Sequence, residues 1–206
     1  MHLLDLQGSY NGRVFIVGTG PSLASVSSWD KVSPIFGCNK LLYWDGAPET
    51  RFYACNYETM LEDIRPDPHP TDHRFLVGSE DDCEAERYLD WPDWVWVTKR
   101  REPDALGAMT LICAQICYVL GFREMYLLGC DQTDQGSVFS QDDDRLKDRP
   151  EEEFPDVLPL WQTFYEEFNK SGGRLYDCSG GRLGEVLPTK SVSYTHLRAH
   201  ETGRNL

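Results

Sequence analysis

Arg13-Val14-Phe15-Ile16-Val17-Gly18-Thr19-Gly20-Pro21-Ser22-Leu23 is the stretch on which the fold of this chain turns. Residues 14–17 are apolar and rich in β-branched side chains, the pattern of a strand buried on both faces. Two glycines follow, and Pro21 stands where a helix would begin. Proline suits the first helical position, because that N–H has no partner in any case. Strand, tight turn and helix start in this order bring free backbone N–H groups and the positive end of a helix dipole to one spot, which suits a phosphate. Gly18 and Gly20 let the backbone approach a ligand with no Cβ in the way, and Gly20 is expected to use a positive φ that a β-branched residue would resist. The stretch therefore nominates Gly18, Thr19, Gly20, Pro21 and Ser22 as nucleotide contacts; an ordinary strand-to-helix turn carries the same pattern.

The rest of the chain repeats the alternation. Strand signals recur at 14–17, 34–36, 51–54, 75–77, 94–97, 125–128 and 175–176. Helical patterns lie between several of them: a short one at 22–29, one at 57–64 after Asn56, an apolar one at 106–120 closed by Gly121, and an amphipathic one at 157–169. Alternating strands and helices argue an α/β fold, Rossmann-like and doubly wound, with a mostly parallel sheet, helices on both faces and a single domain over residues 1–191. Two stretches break the pattern. Residues 65–73 are rich in Pro, Asp and His and read as a surface loop, in which His69 and His73 have no specific task. Residues 132–155 are polar and acidic and follow directly on a strand, where a doubly wound fold places function.

Composition narrows the classes. The chain has 206 residues, 40% hydrophobic and 12% aromatic, with a formal net charge of −14, so a real core is expected and disorder is not. A nucleic-acid binder shows a basic patch; the one basic run here, Lys99-Arg100-Arg101, reads as a solvated strand end. An anionic nucleotide would have to be held by local amides against an unfavourable overall field. No apolar run reaches the length of a membrane span and no signal-peptide pattern opens the chain, so a soluble cytoplasmic protein is expected, with no membrane insertion. Seven cysteines without a C-x-x-C spacing indicate neither a disulfide framework nor a zinc site, and Cys113 and Cys117, one helical turn apart, read as core packing.

The tail from Val192-Ser193-Tyr194-Thr195-His196-Leu197 through Arg198-Ala199-His200-Glu201-Thr202 resembles the translation of a sequencing adapter, so residues 192–206 are set apart as a non-native tail. His196 and His200 leave with it.

Three positions carry chemistry at strand ends. Asp131, in Leu128-Gly129-Cys130-Asp131, can accept from a ribose hydroxyl, hold a hydrated Mg²⁺ or act as a base. It is expected to face solvent within a side chain's reach of the 18–22 loop; a loop-capping aspartate is the alternative. Asn39 and Asn56 end their strands in the same way, and each offers donor and acceptor together to a sugar or base edge, or else serves as an N-cap or Asx-turn residue. The acidic runs 142–144 and 151–153 could collect a metal, but read as a solvated face.

Taken in order, Gly18-Thr19-Gly20-Pro21-Ser22-Leu23, Gly37-Cys38-Asn39, Phe52-Tyr53-Ala54-Cys55-Asn56 and the run Leu120-Gly121-Phe122-Arg123-Glu124-Met125 through Gly129-Cys130-Asp131 resemble one superfamily. It joins the MptE-like hydroxymethylpterin diphosphokinases with the bacterial sialyltransferases of glycosyltransferase family 42. The resemblance spans residues 13–187, and Gly180-Gly181-Arg182-Leu183 through Pro188 is similar to its closing segment. It implies a Rossmann-like domain that binds a nucleotide or nucleotide-sugar, with Gly18, Gly20, Pro21, Ser22, Asn39 and Asn56 facing it beside Thr19 and Gly129. Asp131 is the catalytic candidate. The chain departs from the sialyltransferase branch in three places. Ala108-Met109-Thr110 stands where that branch has Thr-Ser-Gly; Gln132-Thr133 and Phe139 stand in place of its phosphate-holding tyrosines; and residues 132–190 contain no histidine. Three readings follow: a glycosyltransferase-like transferase acting on a nucleotide-sugar, a pterin diphosphokinase using ATP with Mg²⁺ as cofactor, and a nucleotide-binding module without chemistry.

Overall fold

The structure, a computed structural model, describes residues 3–26, 29, 34–56, 73–78, 94–98, 109–132 and 157–191. Among these residues seven strands form one sheet: β1 (Arg13–Val17), β2 (Ile35–Cys38), β3 (Phe52–Asn56), β4 (His73–Gly78), β5 (Trp94–Thr98), β6 (Glu124–Leu128) and β7 (Arg174–Asp177), in the order β5-β4-β3-β2-β1-β6-β7. Every pairing is parallel. The expected α/β, Rossmann-like sheet is therefore present, and each of the seven apolar runs is a strand. A parallel strand covered on both faces must be apolar at odd and even positions alike. Val14 and Ile16 of β1, with Met125 and Leu127 of β6, face one core, while Phe15 and Val17, with Tyr126 and Leu128, face the other.

Helix α1 (Met109–Leu120) is buried along most of its length, including Leu111, Ile112, Cys113, Ala114, Ile116 and Cys117. Gly121 ends it at φ +112, where the N–H groups of Gly121 and Phe122 both donate to Cys117 O at 3.1 and 3.0 Å. Helix α2 (Leu158–Lys170) turns Leu158, Trp161 and Phe168 inward along one stripe. Cys113 and Cys117 are core residues, as expected. Their thiols titrate well above the usual range because burial disfavours the thiolate, and for Cys113 the neighbouring Cys38, Cys117 and Cys130 add to the effect.

Both described α-helices pack on one face of the sheet, with Val14, Phe36 and Leu127. The described cover of the other face is two 3-10 turns, Pro21–Ser25 and Asn39–Tyr43, with Trp29 and Trp44. The helix expected at 22–29 is only the first of these turns. Ser25 Oγ donates to Ser22 O at 2.7 Å and Val26 N to Leu23 O at 3.0 Å, because a run of serines and valine offers competing local hydrogen bonds and weak helix propensity. His73 belongs to β4, not to a loop, and its ring stacks 6.3 Å from Phe52. The 57–64 helix, the rest of the 65–73 loop with His69, the 99–101 basic run, the acidic runs and the 192–206 tail lie outside the described residues. No helix among the described residues is long and apolar enough to cross a membrane.

Candidate functional site

Strand β1 lies between β2 and β6, so the sheet grows one way through β2 to β5 and the other way through β6 and β7. The carboxyl ends of β1 and β6 flank the switch point, where open α/β sheets place their ligands. Val17 is level with both Gly37 and Leu128, so the 18–22 loop, Asn39 and the Gly129–Asp131 segment leave the sheet at the same edge. Asn56, the last residue of β3, leaves it there too.

The two switch-point loops are fastened together. Gly18 N donates to Leu128 O at 2.8 Å and Gly20 N to Gly129 O at 2.7 Å. Ser22 Oγ donates to Asp131 Oδ2 at 2.8 Å, and Ser22 N reaches the same oxygen at 3.3 Å. A Cβ on Gly20 would overlap that carboxylate and lie 2.8 Å from Gly129 O; one on Gly18 would overlap Gly129 O. The glycines are needed for this close approach. Gly20 has φ −65, not the expected positive value, and the left-handed glycine of the pair is Gly129, at φ +61. The expected cradle of free amides is corrected as well. The N–H groups of Gly18, Gly20 and Ser22 already donate within the protein, and the turn begun by Pro21 is only five residues long. The carboxylate of Asp131 takes the place an anion would have. Asp131 as a whole is 7% exposed rather than facing solvent, and a second loop lies against its backbone.

That second loop follows β7. Arg182 N donates to Asp131 O at 2.9 Å, and a Cβ on Gly181 would lie 2.6 Å from Asp131 Cα. Cys130 N donates to Ser179 Oγ at 2.8 Å, and Ser179 N donates to Asp177 Oδ1 at 2.9 Å. Asp177 is 1% exposed, and its carboxyl titrates above the ordinary range. Burial is the main cause and the Asp131 charge adds to it, while hydrogen bonds from Ser179 and Gly180 pull the other way. The sequence reading missed Asp177, Ser179 and Gly181 as site residues. The available signal was that Asp177 closes an apolar strand as Asp131 does.

Among the described residues, Asn39 Oδ1, Thr110 Oγ1 and Asp177 Oδ2 near this edge are buried without a hydrogen-bond partner, as are Thr50 Oγ1 and Trp161 Nε1. Asn39 also has a left-handed backbone, φ 49, and its carbonyl accepts from Tyr53 Oη. Thr110, in the first turn of α1, puts its methyl 3.1 Å from where a Gly18 Cβ would be, so the amino end of that helix meets the crevice. Thr110 was not a sequence candidate. Gln132, next to Asp131, has φ 51. Buried unpaired polar atoms and left-handed non-glycine residues gather where a ligand or a strained mechanism is accommodated. Among the described residues no three His, Cys, Asp or Glu side chains gather to hold a metal ion.

No protein-family model matches the sequence, and no curated protein matches it. Solved structures do. A sialyltransferase CST-II in complex with a trisaccharide acceptor and CMP superposes with a TM-score of 0.59 at 17% identity, over 86% of this chain and 85% of that one. CstII from Campylobacter jejuni, in complex with the substrate analogue cytidine-5'-monophosphate, gives 0.55 at 16% identity, over 86% and 84%. At these identities the likeness is one of fold: the chain shares the parallel-sheet, Rossmann-like architecture of these structures.

Proposed function

We propose that the protein is a glycosyltransferase-like transferase that binds a nucleotide or nucleotide-sugar at the switch point between β1 and β6. The observation that carries this reading is the buried carboxylate of Asp131, which reaches from one switch-point loop to Ser22 on the other. The unpartnered acceptors of Asn39 and Thr110 lie in neighbouring segments. Structures of like fold that hold CMP support it.

The geometry orients the ligand. A phosphate about 4 Å from Asp131 would be repelled by about 4 kcal/mol at an effective dielectric of about 20. The nucleoside hydroxyls therefore go to Asp131, whose Oδ1 is the oxygen not engaged with Ser22, and the phosphate goes toward the amino end of α1, where the helix dipole favours it. Asn39 reads a sugar or base edge without charge. Gly18, Thr19, Gly20 and Pro21 wall the crevice with Gly129, and Asn56 stands further along the edge. With its carboxylate on the nucleoside hydroxyls, Asp131 acts in this orientation as the group that binds and orients the donor.

Calorimetric titration with CMP, UDP, GDP and ATP, each with and without Mg²⁺, tests the reading. CMP should bind without Mg²⁺, and a hundredfold excess over Kd should stabilise the fold by about 2.7 kcal/mol. Binding of ATP alone, and only with Mg²⁺, would replace this reading with the diphosphokinase one; binding of none would end it. The lack of histidine in residues 132–190 favours a second reading, a nucleotide-binding module without chemistry. Binding of CMP without turnover of any CMP-sugar would select it.

A further inference from the structure

We propose that the turn from Asp177 to Arg182 sets the position of Asp131, with Asp177 and Ser179 as positioning residues and Gly181 as the contact that admits the Asp131 backbone. This rests on the reading of Asp131 as the ligand-contacting carboxylate. The turn holds that residue from both sides along the chain. Ser179 Oγ accepts from Cys130 N, the amide immediately before Asp131, and lies 3.4 Å from Leu127 O as a donor. Arg182 N donates to the carbonyl of Asp131 itself. Gly181 has an ordinary extended φ of −90, so a side chain is excluded there by contact with the Asp131 backbone and not by its own conformation.

The turn is in turn anchored to the sheet. Asp177 Oδ1 fixes Ser179 N, Asp177 N donates to Pro188 O at 3.0 Å, Lys190 N donates to Asp177 O at 2.8 Å, and Cys178 N donates to Leu127 O at 2.9 Å. Asp177 and Ser179 thus connect the end of β7 to the segment whose carboxylate meets Ser22. Neither the β1–β6 ladder nor the 18–22 loop supplies these bonds.

Amide hydrogen exchange on the full chain, paired with CMP calorimetry, tests this. Ser179→Ala and Asp177→Ala should each speed exchange of the Cys130 and Ser22 amides about tenfold, while the ladder amides of Phe15 and Tyr126 stay as they are. CMP affinity should fall by a similar factor. Asp177→Asn keeps an acceptor for Ser179 N and should restore both. If Ser179→Ala does not fold, Gly181→Ala carries the same readout. Unchanged Ser22 exchange in a folded variant overturns the proposal, whatever CMP does. Faster Ser22 exchange in a protein whose wild type binds none of CMP, UDP, GDP and ATP upholds the positioning and ends the nucleotide reading instead.

Discussion

The two edges of the sheet are built on opposite terms. At the amino edge the rings of Tyr10, Phe52, His73 and Phe122 pack with centroids 5.0–6.3 Å apart, and the Arg51 guanidinium lies over Tyr10 and Phe52. At the carboxyl edge, loops meet through glycines around two buried carboxylates, and both described non-glycine residues with left-handed backbone, Asn39 and Gln132, sit there. Aromatic area removed from water stabilises without specifying any ligand. Buried charge and backbone strain do the reverse: each costs stability and persists where the surroundings hold it. Damage to the first edge should appear in stability, and damage to the second in binding.

The largest effect should come from the amino edge. Phe52→Ala removes a fully buried ring at the centre of that cluster and should cost about 3–5 kcal/mol in denaturant unfolding, with CMP affinity of the folded fraction unchanged. Equal losses in both quantities would dissolve the contrast. Gly20→Val should act on both sides. It drives Asp131 off Ser22 and lowers CMP affinity about 10–100-fold, the worth of a charged hydrogen bond, while overpacking against Gly129 costs about 1–3 kcal/mol. Calorimetry at wild-type strength in the folded variant would refute the seam between the two loops.

Asp131→Asn should hold stability within about 1 kcal/mol, since the amide oxygen can still accept from Ser22, and weaken CMP about tenfold. A capping role alone would show the opposite pattern, a stability loss of roughly 0.5–2 kcal/mol with affinity intact. Asn39→Gly should change stability by less than about 1 kcal/mol, because relief of the left-handed strain offsets glycine's chain entropy, yet weaken CMP several-fold. The smallest effect is in the pH profile. Asp177 keeps its proton to a higher pH folded than unfolded, so its contribution is complete below the ordinary carboxylate range and declines as pH rises through its raised value. Urea melts across about pH 4–7 should show Asp177→Asn without that part of the decline.

The sheet was legible because parallel strands write themselves as apolar runs, and 14–17, 125–128 and 94–97 are unbroken ones. Asp131 was legible as a carboxylate closing such a run, and Asn39 as an amide doing the same. Their surroundings were not. That Asp131 is buried depends on Gly181 lying against it, a contact between residues some fifty positions apart that no local pattern announces. The amides of the 18–22 loop looked free because the residues that use them, Leu128, Gly129 and Asp131, belong to another strand's end. His73 was misread because the prolines upstream of it suggested a loop that does not include it.

The bond between Ser22 and Asp131 joins positions 109 residues apart. Closing a loop of that size has an entropic cost on the order of 4 kcal/mol before any constant term, and contacts of such separation slow folding. On the ribosome, β1 can pair with β2 soon after both emerge, but its other edge waits for Glu124–Leu128. At about 5–20 residues per second that edge stands open for roughly 5–20 s as a row of unpaired donors and acceptors beside Val14, Ile16 and Val17. The crevice is thus among the last features to exist in a nascent molecule. The strand that founds it is, until then, open to pairing with a neighbouring chain instead.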